Sequence, residues 1–284
     1  MSDLHQMATA SAPATSANLG PAYDCMALAL DIRCQVQAVT AADWSVTQVG
    51  SHRPRSDQDD VVLETARIVS SVPLAIEVAA EVPIGKGLGS SAAVSVATIA
   101  AALKAQGEQV DPDRVYRVAA ELEGHADNVA ASVYGGLTLV PAEGMPIRIP
   151  IHPALHVVIA LPDQELSTSD ARDVVSISHP QGRVLRSLAR VSALTAGLIT
   201  GDAEMLKAAH GDEIHEAPRD AISPEVGKLI DVARQSGALH AARSGSGPAV
   251  LAVCLHETVA DVVAGFKHAG VETLTPRLAS TGLI

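Results

Sequence analysis

Aromatic side chains are nearly absent: one Trp, three Tyr and one Phe in 284 residues. Because 48% of the chain is nevertheless hydrophobic, Ala, Val, Leu and Ile must fill the interior, which excludes a disordered or fibrous chain. Cysteine is scarce too. Cys25, Cys34 and Cys254 are odd in number and form no C-x-x-C pair, which argues against a disulfide framework and a thiolate metal site. They are expected as buried small hydrophobes. No apolar run approaches the ~18–20 residues that cross a bilayer, and the start MSDLHQMATA has no basic stretch leading into an apolar one. A cytoplasmic protein with no membrane partner is therefore expected. Positive charge is in deficit: 20 Lys and Arg against 32 Asp and Glu leave a net −12. That balance speaks against nucleic acid and anionic membranes, which need a basic stripe. It leaves room for local positive charge around a small anionic ligand.

The length exceeds the usual ~100–200 residues of one domain, so one large domain or two sharing an interface would accommodate it. Short strand-like stretches at 36–39, 46–49 and 75–82 open the chain; in the last, Ile76, Val78, Ala80 and Val82 alternate. Residues 51–60 are polar and read as an exposed loop. A glycine-rich segment follows Pro83, then an Ala/Val-rich helical run from Ala92 to about Ala105 that stops at Gly107. The next helix has Asp111 as N-cap, Pro112 at its first position and Gly124 at its end. A soft boundary near 150 divides 1–150 from 151–284. The second part reads as strand 155–161, helix 183–200, helix 224–236, a strand, a loop, strand 249–255 and a final helix. Interleaving of this kind predicts an α+β or α/β architecture.

Three glycines, Gly85, Gly87 and Gly89, lead into Ser90 and Ser91 at a helix start. Glycine admits positive φ and close backbone approach, and unpaired N–H groups at a helix N-terminus favour an anion. Taken alone, the segment is equally a tight turn. It is neither a Walker A loop nor a G-x-G-x-x-G fingerprint, because the lysine and the third glycine are not where those motifs need them. Further on, Glu123-Gly124-His125-Ala126-Asp127-Asn128 sets two carboxylates, an imidazole and an amide just past a helix end. That composition suits a metal or acid/base site, although no second His lies at i+4 as on a zinc helix.

Pro83 through Ala93, P-I-G-K-G-L-G-S-S-A-A, resembles the P-x-x-x-G-L-G-S-S-A-A loop of the GHMP kinases. The resemblance implies that Pro83, Gly85, Lys86, Gly87, Leu88, Gly89, Ser90 and Ser91 wrap the phosphates of ATP. It also places Ser91 and Glu123 near Mg2+, with Glu121 as the alternative carboxylate. Residues 13–24, P-A-T-S-A-N-L-G-P-A-Y-D, resemble the opening motif of the homoserine kinases in that superfamily, which implies that Asn18 and Asp24 contact an amino-acid substrate. Ala22 stands where that motif has Gly, so a slightly reshaped pocket is expected. The segment from Glu123 to Ala130, with Tyr134-Gly135-Gly136 after it, is similar to the E-G-H-x-D-N-V-A stretch of the same group, and adds His125 and Asp127 to the site. Thr168-Ser169-Asp170-Ala171-Arg172 resembles its T-x-x-A-R stretch, and Arg219 matches a second arginine. Two guanidiniums able to form bidentate bonds select a carboxylate-bearing substrate over a neutral alcohol. Ser244-Gly245-Ser246-Gly247-Pro248 looks like the superfamily's C-terminal glycine motif.

The resemblance runs from Pro13 to Pro248. It is weakest between Val36 and Val72, where Asp59-Asp60-Val61-Val62 replaces the Asn-Leu pair found near the adenine in relatives. The fold it implies is α+β, with an N-terminal ribosomal-protein-like βαβ domain, a ferredoxin-like C-terminal domain and the site between them. The implied activity is ATP- and Mg2+-dependent phosphorylation of the L-homoserine hydroxyl, with Asp24 or Asp127 orienting that hydroxyl; the family also admits a homodimer. Two other readings remain open at this point: a kinase of another hydroxyl substrate (sugar, polyol or isoprenoid alcohol), and a non-catalytic ligand-binding relative. His210 and His215 lack metal-helix spacing and receive no role.

Overall fold

The computed structural model describes residues 7–49 and 57–284. Its first sheet comprises β1 (Ala8–Ala17), β2 (Met26–Thr40), β3 (Ser45–Val49), β4 (Leu74–Ala80), β5 (Leu137–Leu139) and β6 (Ile147–Ile149). They run in the order β3-β4-β2-β5-β6, with β1 also paired to β2. The second sheet is β10-β7-β9-β8, built from β7 (Leu155–Leu161), β8 (His240–Arg243), β9 (Val250–Leu255) and β10 (Glu272–Leu274). The helices are α1 (Asp57–Val69), α2 (Ser90–Ala105), α3 (Pro112–Glu123), α4 (Asp127–Tyr134), α5 (Thr168–Asp173), α6 (Gln181–Thr200), α7 (Ala203–Ala208), α8 (Glu216–Arg219), α9 (Pro224–Gln235) and α10 (Val259–His268).

The paucity of aromatics shapes the core. Every residue of α2 from Ala92 to Leu103 except Val94 is buried, so this helix is apolar on all sides, as a helix enclosed by other elements must be. Alanine lets it lie close against β1 and β2, with α1, α3 and α4 packed round it. A second core forms where Val158, Val250 and Ala252 of the second sheet meet Val226, Leu229, Val262 and Phe266 of α9 and α10. The three cysteines are free, two buried and Cys25 half-buried. Burial pushes their thiols up to about 11 or 12, so they behave as small hydrophobes.

Several expectations need correction. Residues 51–56 of the expected loop lie outside the described residues, but 57–60 already belong to α1. This helix forms the crossover that makes β3 and β4 parallel. The stretch 36–39 is one end of a fifteen-residue strand. Its partner β1, ATASAPATSA, has neither alternation nor β-branched runs, and Pro13 argues against a strand; the sheet accommodates that proline at an irregularity between Pro13 and Ala14. The chain passes from the first sheet to the second between β6 and β7, yet residues 277–284 return to the first. Asp31 N–H donates to Arg277 O, and Ser11 and Ile284 exchange two backbone bonds of 3.0 and 2.9 Å. No helix among the described residues is long and apolar enough to cross a membrane.

Candidate active site

A cavity of about 850 Å3 lies between the glycine loop, the N-terminal motif, α5 and the loop after β8. At one end Gly85, Gly87 and Gly89 all take positive φ, as the sequence requires of a loop that turns this sharply. Gly89 caps α2 without any side-chain hydrogen bond, so the first N–H groups of a sixteen-residue helix face the cavity unclaimed by a cap, an arrangement suited to phosphate. Leu88 is buried, its carbonyl accepting from Thr15 N–H. A Cβ on Gly87 would strike Ser244 O and Gly247 N, because the two glycine loops interlock. Ser244 Oγ donates to Gly87 O at 2.8 Å and lies 2.8 Å from Ser16 Oγ.

Ser91 Oγ donates to Glu123 Oε1 at 2.7 Å, and Ser95 Oγ donates to the same oxygen at 2.9 Å. Glu123 is therefore the helix carboxylate that reaches the loop; Glu121 is exposed and lines no part of the cavity. A hydroxyl and a carboxylate fit Mg2+, a hard cation usually held by one or two protein oxygens plus phosphates and water. No cluster of three or more His, Cys, Asp or Glu side chains able to hold a metal by themselves occurs among the described residues. Val61, Val62 and Val94 line the cavity too; the side chains of Asp59 and Asp60 lie outside the described residues.

Lys86 departs from its expected place. Its ammonium donates to the carbonyls of Pro162, Asp163 and Gln164 at 2.7, 2.7 and 2.9 Å, turned away from the cavity that its glycine neighbours line. Three donors and three acceptors leave it fully engaged.

The other end of the cavity is charged. The segment 18–24 is a tight turn in which Asn18, Leu19 and Asp24 take positive φ although none is glycine. Asn18 locks it: Oδ1 accepts from Asp24 N–H at 3.0 Å, and Nδ2 donates to Gly245 O at 3.0 Å. Ala22 is buried and is not among the positive-φ residues, so its methyl group replaces glycine there without backbone strain. Arg172, projecting from α5, forks onto Asp24 at 2.8 and 3.1 Å. Arg219 is buried; Nε donates to Ala171 O at 2.7 Å and Nη1 to Gly245 O at 3.2 Å and His215 Nδ1 at 2.9 Å. Only its Nη2 has no hydrogen-bond partner among the described residues. Thr168 begins α5 on the same wall. His125 lies 3.5 Å from Asp127 Oδ1 and 3.8 Å from Glu123 Oε2. The Asp127 carboxylate raises its pKa against the opposing effect of burial. Asp127 itself is buried and accepts from Asn128 N–H at 2.7 Å.

Every site residue expected from the sequence except Lys86 thus lines this cavity. Sequence reasoning missed the groups that hold them. Tyr23 stacks on His215, with ring centroids 4.8 Å apart, and both guanidiniums pack near its ring, Arg219 at 5.4 Å and Arg172 at 5.9 Å. A guanidinium only donates, so His215 Nδ1 must accept from Arg219, and Nε2 carries the proton that it donates to Gly20 O at 2.7 Å. Burial lowers the His215 pKa to about 4, in accord with that neutral tautomer. Thr15 Oγ1 donates to Asn128 Oδ1 at 2.7 Å. Glu216 Oε1 accepts from Arg243 N–H at the start of the second glycine loop. Thr15, Tyr23 and Asn128 stand inside motifs that gave them no individual role, and His215 and Glu216 had no signal beyond lying a few residues before Arg219.

The sequence matches the family described as GHMP kinases N terminal domain over residues 60–136 and GHMP kinases C terminal over 192–271. Homoserine kinase of Moorella thermoacetica is 31% identical over 281 residues, covering 94% of this chain and 95% of that protein. Homoserine kinase of Deinococcus radiodurans is 33% identical over 260 residues, 88% of this chain and 84% of that one. The crystal structure of homoserine kinase from Cytophaga hutchinsonii superimposes with a TM-score of 0.85 over 100% of this chain and 98% of its own, at 24% identity. That last likeness is one of fold.

Proposed function

This chain belongs to the GHMP kinase family, and we propose that it is a homoserine kinase, transferring the γ-phosphoryl group of ATP to the side-chain hydroxyl of L-homoserine to give O-phospho-L-homoserine and ADP, a step of threonine biosynthesis. ATP is the phosphoryl donor of the family. The observation that carries the substrate reading is the Asp24–Arg172 pair beside Arg219 in a cavity whose other end is the phosphate loop. A zwitterionic amino acid can insert into such a pair without leaving a charge unmatched. Its ammonium takes Asp24, its carboxylate takes Arg172 and Nη2 of Arg219, and every charge keeps a partner. A neutral sugar or polyol would break the pair and replace neither charge.

Phosphoryl transfer asks the protein chiefly for positioning and charge stabilisation. Gly85, Gly87, Gly89, Ser90 and the start of α2 hold the phosphates, while Val61, Val62 and Val94 offer an apolar wall to the base. Ser91 and Glu123 would hold Mg2+, which, when bound with the nucleotide, neutralises phosphate charge. Because Asp24 is committed to the ammonium, Asp127, next to His125 and Glu123, orients the hydroxyl. Residues 1–150 carry the nucleotide half and 151–284 bring α5, Arg219 and the closing glycine loop, with 277–284 returning to the first half as a strap.

The test is ADP release from ATP·Mg2+ with a panel of hydroxyl compounds. Homoserine should turn over with kcat/KM at least a hundredfold above homoserine amide, galactose or mevalonate. Preference for galactose or mevalonate would move the chain to another branch of the family, and absence of turnover with every compound would leave it a binding protein.

A further inference from the structure

The phosphate loop is stitched to the second half of the molecule at its only lysine. Besides the three carbonyls of 162–164 on its ammonium, Lys86 accepts at its own carbonyl from Ala249 N–H at 3.0 Å, and its neighbour Gly85 accepts from Leu166 N–H at 3.1 Å. The loop so gripped runs directly into α5, whose first turn Ser167 caps. From α5, Arg172 reaches Asp24 and the Ala171 carbonyl anchors Arg219 Nε. A continuous line of bonds therefore leads from the phosphate loop through Lys86 to both guanidiniums. Moving the ammonium to a phosphate would break all three of its bonds to the segment that leads into α5. The ammonium lies in the wall of a second cavity of about 460 Å3 that Glu81, Asp163, Glu165 and Glu272 also line.

We propose that Lys86, although it stands inside the phosphate loop, is no nucleotide ligand but a positioning residue that clasps the amino-acid half of the site to the nucleotide half. The inference rests on the reading of α5 and Arg219 as the amino-acid site. Its consequence is that removing the ammonium weakens the binding of the ligand Lys86 does not approach, the amino acid, and spares the one it adjoins in sequence.

The variants are Lys86→Met, which keeps the stem and removes the donors, and Lys86→Arg, which restores donors. Calorimetry measures Mg·ADP and homoserine binding, each alone and in the presence of the other. For Lys86→Met, ADP alone should bind within about threefold of wild type and homoserine at least about tenfold more weakly, with any mutual enhancement of the two ligands reduced, as expected for loss of charge-assisted bonds. Lys86→Arg should recover most of the homoserine affinity. In steady state the same split should appear as a raised KM for homoserine with KM for ATP little changed. A tenfold or larger loss of ADP affinity, whatever homoserine does, would make Lys86 a phosphate ligand and overturn the proposal; unchanged binding of both ligands would overturn it too. Should wild type bind ADP but not homoserine, the substrate reading fails instead. The clasp is then judged by amide exchange in the unliganded protein, where residues 163–172 must exchange at least tenfold faster in Lys86→Met than in wild type.

Discussion

At the scale of single residues, the site is an arrangement of groups that each have one free capability. Ser91 is exposed and Glu123 Oε1 also accepts from Ser95 Oγ at 2.9 Å, so Ser91 can be removed without leaving a buried orphan. Ser91→Ala should therefore fold normally and lower kcat at least about tenfold, ~1.4 kcal/mol of transition-state stabilisation. Glu123→Gln should do the same, and Glu121→Gln should be silent; near-wild-type turnover of Ser91→Ala would remove that serine from the metal site. Arg219 is bound by the opposite constraint, because three of its bonds are structural and only Nη2 is free. Arg219→Ala should raise KM for homoserine with little change for ATP, losing roughly 10- to 150-fold in kcat/KM, the ~1.5–3 kcal/mol of a charge-assisted contact. Homoserine amide should be penalised less in the variant than in wild type, because only Arg172 is left to meet the carboxylate; equal penalties in both proteins would show that Arg219 does not read the carboxylate. Ser91, Glu123 and Arg219 were legible because they sit in recognisable motifs. His215 was not, because its role is a tautomer set by a guanidinium four residues on and a carbonyl 195 residues away, and no spacing rule encodes that.

At the scale of elements, legibility followed local signals. Asp111, Pro112 and Gly124 mark the ends of α3, and the structure has Asp111 accepting from Asp113 N–H at one end and Gly124 at φ 70° at the other. Strand β1 escaped because its small residues carry no period and its pairing partner lies further along the chain. The glycines of the phosphate loop could be read as a turn, but not as one half of an interlock, since the Ser244 loop that fills the space beside Gly87 is remote in sequence. Two glycines with almost the same φ separate the two effects. Gly107, at φ 75°, has open space where a Cβ would go, whereas Gly87, at φ 76°, has Ser244 O and Gly247 N there. Gly107→Ala should cost only the left-handed penalty, about 1 kcal/mol in thermal or denaturant unfolding. Gly87→Ala should cost at least about 2 kcal/mol more and weaken ATP binding, because the loops must part. Equal losses of stability in the two variants would mean that the loops do not interlock.

At the scale of the whole molecule, the α+β class and the position of the site were readable from the order of motifs, whereas the strap 277–284 and the buried charges behind the second glycine loop were not, since only tertiary pairing brings them together. Those charges make a prediction about pH. Burial raises the pKa of Glu216 from 4.5 to about 7, and burial lowers that of His215 from 6.5 to about 4. Between pH 4.5 and 7 the folded protein keeps the Glu216 proton that the unfolded chain has lost, so this group makes stability fall as pH rises. Between pH 4 and 6.5 the unfolded chain holds a His215 proton that the folded protein rejects, so this group makes stability rise. The two slopes oppose each other across pH 4.5–6.5 and together flatten the wild-type profile there. Glu216→Gln removes only the first, while its side-chain oxygen can still accept from Arg243 N–H. The stability of the variant relative to wild type should therefore increase from pH 4.5 to 7 and then level off. A change from 4.5 to about 7 corresponds to about 3 kcal/mol. Chemical denaturation of both proteins at half-unit steps from pH 4 to 8 measures that difference directly, with every titration the two share cancelling. A difference that stays constant across the range would show that Glu216 keeps one protonation state throughout, and would remove it as the source of any pH dependence.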